Sequence, residues 1–157
     1  MADLRLIALG ALAACSRADA EPPGLAVPKT WVKLPGIAEA VRTAAAGPKI
    51  EVVSADAWGE RAMGCYAVRF EVRGHNKMSA LADQIIAGIA AEKIVVKDIV
   101  KPPGAGVLAL AFERAPYRGR LRAQLAPDAI TAVACFANQR EPQACAAACD
   151  GVLGGVK

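Results

Sequence analysis

With 157 residues the chain has room for one domain and one hydrophobic core, and none for a second. Apolar residues make up 55 % of it but aromatics only 4 %, so the core must be assembled from Ile, Val, Leu and Ala. A formal charge of +4, with Lys and Arg scattered among nearly as many acids, gives a weak long-range field and excludes nucleic acid as the expected partner.

The chain opens Met1-Ala2-Asp3-Leu4-Arg5 and runs from Leu6 to Ala14 without a charge. Nine apolar residues span roughly 14 Å as a helix, about half of a ~30 Å hydrocarbon layer, so the run cannot cross a membrane. It suits the short apolar core of a secretory signal. It ends Leu12-Ala13-Ala14-Cys15, which resembles the lipobox of bacterial lipoproteins. The resemblance implies a diacylglycerol on the Cys15 sulfur, cleavage just before it and acylation of the new amine, so that residues 1–14 are a signal peptide and the membrane is a partner through lipid on Cys15. Several acyl chains at ~0.8 kcal/mol per buried methylene hold a protein durably, where one chain is marginal. Ser16 stands where enterobacterial lipoproteins kept in the inner membrane carry Asp, so the same resemblance implies the outer membrane, facing the periplasm. The competing reading is a buried apolar helix opening a cytosolic domain.

Residues 15–28 include Ser16 to Gly24, polar and proline-bearing, and read as a lipidated N-terminus and flexible tether ahead of one domain at 29–157. Thr30 to Leu34 is a short apolar stretch around Trp31. Ile37 to Ala46 predicts a helix stopped by Gly47-Pro48, and Ile50 to Val53 a strand. From Cys65 the chain alternates, with Tyr66, Val68, Phe70 and Val72 on one face and Arg69, Glu71 and Arg73 on the other, a half-buried strand ended by Gly74-His75-Asn76. Met78, Leu81, Ala82, Ile85, Ile86 and Ile89 recur at helical spacing to about Ala91, with Asn76 or Ser79 as N-cap. Strands follow at Ile94 to Val100, Val107 to Glu113, Arg120 to Leu125 and Ile130 to Phe136, separated by proline-bearing turns. Glu141-Pro142 opens a last helix running to about Leu153. The class is α+β: an antiparallel sheet of five to six strands covered by two main helices.

The closing segment, Ala132-Val133-Ala134-Cys135-Phe136-Ala137, a polar turn and a helix from Ala144 to Leu153, resembles the C-terminal strand and helix of the PsbP and DcrB-like group of small envelope and thylakoid proteins. That resemblance implies a layered α/β/α sandwich with a binding or assembly role, and transfers no functional residue.

Export through Cys15 would mature Cys65, Cys135, Cys145 and Cys149 in an oxidising envelope, where an even set favours disulfides. Cys145 and Cys149 are four apart on one helix face and poorly aimed at each other. Folding the last helix back over its strand brings Cys135 level with Cys149, which leaves Cys65 for Cys145. Buried free thiols are the alternative. A zinc site fits poorly, because the three-residue gap of Cys145-Ala146-Ala147-Ala148-Cys149 and the lack of a helpful histidine do not match ligand spacings, and a thioredoxin-like motif needs two intervening residues.

Arg114, Arg118, Arg120 and Arg122 flank Pro116 and Tyr117, and guanidinium groups grip phosphate or carboxylate bidentately, so this hairpin is the candidate anion-binding site. Its bland reading is a solvated hairpin. His75, the only histidine, lies in a Gly-His-Asn turn and reads first as a solvated turn residue. Trp58 with Gly59, Glu60 and Arg61 either lines a loop pocket or caps the core. No cofactor motif is present. The preferred function is a lipid-anchored, non-catalytic envelope protein that binds an envelope partner or anionic ligand. The alternative is a small envelope hydrolase or thiol-redox enzyme using His75 or a cysteine.

Overall fold

The computed structural model describes residues 25–47, 50–138, 143 and 145–156. Among these residues seven strands and three helices follow one another as β1 (Val32–Lys33), α1 (Pro35–Ala45), β2 (Glu51–Glu60), β3 (Cys65–Arg73), α2 (Met78–Ala91), β4 (Val95–Val100), β5 (Gly106–Arg114), β6 (Tyr117–Leu125), β7 (Ala129–Asn138) and α3 (Ala146–Gly154). All strands form one antiparallel sheet ordered β1-β2-β3-β7-β6-β5-β4. The α+β class expected from the sequence is the class found. The sheet has seven strands rather than five or six because the pair Val32–Lys33 adds to β2, and three helices cover it rather than two.

Topology follows from two tight-turn runs separated by a helix. β2 and β3 form a hairpin whose turn closes at Gly64, where φ of 65° favours a residue without Cβ. β4 to β7 form a meander, and α2 carries the chain from the end of β3 to the far edge so that β7 can return beside β3. β7 is therefore central, flanked by β3 and β6 through unbroken nine-residue registers.

Side chains opposite one another across a ladder point to the same face, and the registers sort the sheet into two. One face carries Val68, Ala132, Leu121, Ala123, Leu125, Leu108 and Leu110 and lies under α1 and α2. α1 starts at Pro35, which loses no helical hydrogen bond in the first turn, and turns Ile37, Ala38 and Val41 onto Ala57 and Val68. α2 sets Leu81, Ile85 and Ile89 on Leu108, Leu110 and Ala123. Its N-cap is Lys77 with no side-chain cap. Asn76 instead donates from Nδ2 to the Ala126 carbonyl at 3.1 Å, which ties the β3–α2 turn to the β6–β7 turn.

The second face is covered only in part. α3, with Leu25, Trp31 and Val156, closes over Trp58, Cys65, Ala67, Val133, Cys135 and Ala137. Trp58 thus sits inside β2 as a core residue rather than in a loop, because β2 runs on to Glu60. Leu25 is buried as well, so the packed chain reaches back into the residues read as tether. α3 begins at Ala146, four residues later than Pro142 suggested; Gln143 and Cys145 are in turns, and 139–142 lie outside the described residues.

Candidate functional site

The four downstream cysteines clasp α3 to the sheet. Cys65 at the start of β3 bonds Cys145, the residue before α3, with Cα atoms 5.6 Å apart, and Cys135 in β7 bonds Cys149 one turn into α3, with Cα atoms 5.5 Å apart. All four are buried. Cys65 and Cys135 lie two rows apart on the same face of neighbouring strands, and Cys145 and Cys149 lie one above the other on one helix face. Each strand thiol therefore meets the helix thiol at its own level. A nine-residue helix is marginal alone, so α3 depends on this docking. By loop entropy, bridges of separation 80 and 14 contribute about 4.5 and about 3 kcal/mol. Both bridges leave no free thiol among Cys65, Cys135, Cys145 and Cys149. Cys15 lies outside the described residues.

The arginines of the β5–β6 hairpin divide. Arg118, Arg120 and Arg122 sit opposite Ala137, Cys135 and Val133 and share the face that α3 covers in part. Arg114 pairs with Tyr117, one residue out of step, and points the other way. The expected four-arginine cluster is thus a row of three, with Arg114 removed from it by the strand period. Among the described residues α3 stands mainly over β3 and β7 and reaches β6 only through side-chain contacts, so beside it β4, β5 and β6 form an open ledge. Ala109 and Ala111 pave it, Val95, Lys97 and Val100 bound it on β4, and the arginine row runs along β6. Arg120 bonds Asp150 of α3 at 2.6 Å, and Arg122 donates to the Leu153 carbonyl at 3.5 Å, so α3 braces two of the three guanidinium groups. Lys97 bonds Glu113 at 2.8 Å and holds that carboxyl below its usual range. Arg118 is exposed. The ledge is flat, and what it offers is guanidinium for an anion of some breadth.

His75 lies at the opposite end of the sheet. Hydrogen bonds from Gly74 N–H to the Asp128 carbonyl (3.1 Å) and from Asn76 N–H to the Pro127 carbonyl (2.8 Å) fix its turn. Its side chain lines a wide-mouthed cleft of about 470 Å³ with Glu51, Arg73 and Asp128. All four side chains are exposed. Among the described residues no group of three metal-ligating side chains comes together.

Sequence reasoning missed an aromatic seam on the α1/α2 face. Tyr66 stacks on Phe136 (centroids 5.4 Å), and Tyr117 meets both edge-on at 6.0 and 5.8 Å. Burial, with Tyr117 beside it, pushes the Tyr66 phenol above its usual range. Gly119 makes the seam possible: a Cβ there would lie 2.6 Å from Phe112, Phe136 and the Cys135 carbonyl. The available signal was alternation, since Tyr117 and Gly119 occupy one strand parity.

No family model matches the chain, and neither a curated protein nor a solved structure is found to be similar to it.

Proposed function

We propose that the protein is a lipid-anchored component of the bacterial cell envelope, held at the outer membrane through lipid on Cys15, where it binds an envelope partner or anionic ligand without catalysing a reaction. The observation that carries this reading is the pair of buried bridges. Disulfides persist in oxidising compartments, and the lipobox-like Leu12-Ala13-Ala14-Cys15 supplies a route to one. The row Arg118, Arg120 and Arg122 supplies the binding chemistry, with Arg120 and Arg122 braced by α3. The likeness to the PsbP and DcrB-like group points to the same kind of role, and helices on both faces of the sheet suit it.

The test is the intact mass of unreduced protein extracted from membranes of its host. The expected mass is that of a chain beginning at Cys15 with added acyl chains, two hydrogens lighter for each bridge. Protein recovered from cytosol with Met1 intact and no fatty chains overturns the proposal. A second reading, a hydrolase using His75, has one observation in its favour: the cleft shared with Glu51, Arg73 and Asp128. Any hydrolytic activity found in the protein and abolished by His75→Ala would favour it.

A further inference from the structure

We infer that the ledge on β4, β5 and β6 is a membrane-docking surface that seats the domain on anionic lipid headgroups. The inference rests on the lipid-anchored reading above for its setting. Three observations carry it.

The first is chemical. On the ledge lie Lys97, Glu113, Arg118, Arg120 and Arg122, with Asp150 of α3 against Arg120, a local excess of two positive charges. Guanidinium pairs bidentately with phosphate, and basic groups near an anionic leaflet gain from its surface potential. The second is apolar. Val95 and Val100 are opposite Glu113 and Ala109, so they share the face of the basic row across the width of β5, and they are 55 % and 64 % exposed. Exposed aliphatic groups beside a basic row match the headgroup–acyl boundary, with charge meeting phosphate and methyl groups meeting chains. The third is the direction from which the chain arrives. Leu25 is buried among α3 and the sheet residues beneath it, so the polypeptide joins the domain on this face and not on the α1/α2 face. Cys15 lies ten residues before Leu25, a reach of at most about 35 Å at ~3.5 Å per residue. A lipid on Cys15 thus holds this face within reach of the bilayer. α3, the neighbour that also projects on this side, exposes Ala146, Ala147, Asp150, Gly151 and Gly154 and so raises no bulky side chain between ledge and lipid.

The test uses full-length protein carrying Cys15→Ser, which cannot be acylated there. Co-sedimentation is compared on vesicles of phosphatidylcholine alone and on vesicles in which roughly a third is replaced by phosphatidylglycerol. The expected result is preference for the anionic vesicles, lost at high salt. Each of Arg118→Gln and Arg122→Gln lowers the partition about fivefold, and the pair roughly twenty-five-fold. Arg114→Gln, on the other face, leaves it unchanged, and Val95→Ser with Val100→Ser weakens it at constant charge. If the double arginine variant does not fold, Arg118→Gln alone decides, since that side chain is exposed. Equal partition on the two vesicles, or an equal effect of Arg114→Gln and Arg118→Gln, overturns the inference; the former also detects binding by the apolar N-terminal run alone. Because the protein tested carries no lipid, failure here leaves the intact-mass test of the anchor standing, and failure of that test leaves this one readable.

Discussion

The two halves of the sheet are built from the same alternating strands and finished differently. β2, β3 and β7 are closed by α1 on one face and, at the end that holds Cys65, by α3 with residues 25–31 on the other, and two bridges cross that second layer. Among the described residues β4, β5 and β6 are closed by α2 on one face and meet only the side-chain brace from α3 to β6 on the other. The difference lies in one strand parity. Beneath α3 it reads Cys65, Ala67, Val133, Cys135 and Ala137, and on the ledge it reads Arg118, Arg120, Arg122, Lys97 and Glu113. A sheet position is buried when its parity is apolar and a helix reaches it, and α3, at nine residues and pinned at Cys145 and Cys149, reaches no further than β7 with a brace to β6. The outer edge of β4 is guarded by a bulge between Lys97 and Val100, where Asp98 takes φ of 50° and interrupts the ladder.

That contrast can be broken or sharpened by experiment. The largest expected effect is loss of the bridges: Cys65→Ser with Cys145→Ser costs about 4.5 kcal/mol and Cys135→Ser with Cys149→Ser about 3, by the shift of the urea midpoint. Under reductant, hydrogen exchange should quicken in β3 and β7 before β5; simultaneous loss of protection in all three makes the two halves one cooperative unit and ends the comparison. Next is Leu108→Ala in the open half. Leu108 is fully buried under α2, so the loss is about 2–5 kcal/mol and should be the same with and without reductant. Gly119→Ala follows, at about 1–3 kcal/mol, because its methyl would meet the Cys135 carbonyl, the Phe112 ring and the Phe136 Cβ at 2.6 Å at the seam between the halves. Smallest is the pH response of the ledge. Lys97 lowers the Glu113 pKa from its ordinary 4.5, so the folded pKa is the lower one; the pair stabilises above the unfolded value and its contribution fades as pH falls through the folded value. Both groups are exposed and the effect is slight. Lys97→Met should erase the difference between urea midpoints at neutral and acid pH that belongs to this pair. Tyr66 behaves oppositely: its raised pKa contributes below the ordinary value of 10.0 and is lost as pH rises through the folded one.

Periodicity carried most of the fold. The strand from Cys65 and the helix from Met78 begin and end within a residue or two of their expected places, because alternation and a three-to-four spacing of isoleucines admit little else. Trp58 was harder to read, since Gly59 and Glu60 resemble a loop while the strand continues through them; Gly59 is needed because a Cβ would lie 2.7 Å from the Cys65 carbonyl. Residues 25–28 resemble a tether in the sequence because their apolar partners, Trp58 and Val152 among them, lie far along the chain. Among the site residues, the parity that joins Arg118, Arg120 and Arg122 is visible in their spacing, and the separation of Arg114 follows once the two-residue turn at Ala115-Pro116 sets the hairpin register.

The sequence by itself determined the class, the strand faces and the level at which each cysteine sits, because these are local consequences of periods of two and of 3.6 residues. Only the tertiary structure decided that β7 returns beside β3 rather than ending the meander at an edge. Strand order depends on contacts between segments distant in sequence, where local propensity is silent. From that order come both the clasped layer under α3 and the basic ledge beside it, open among the described residues.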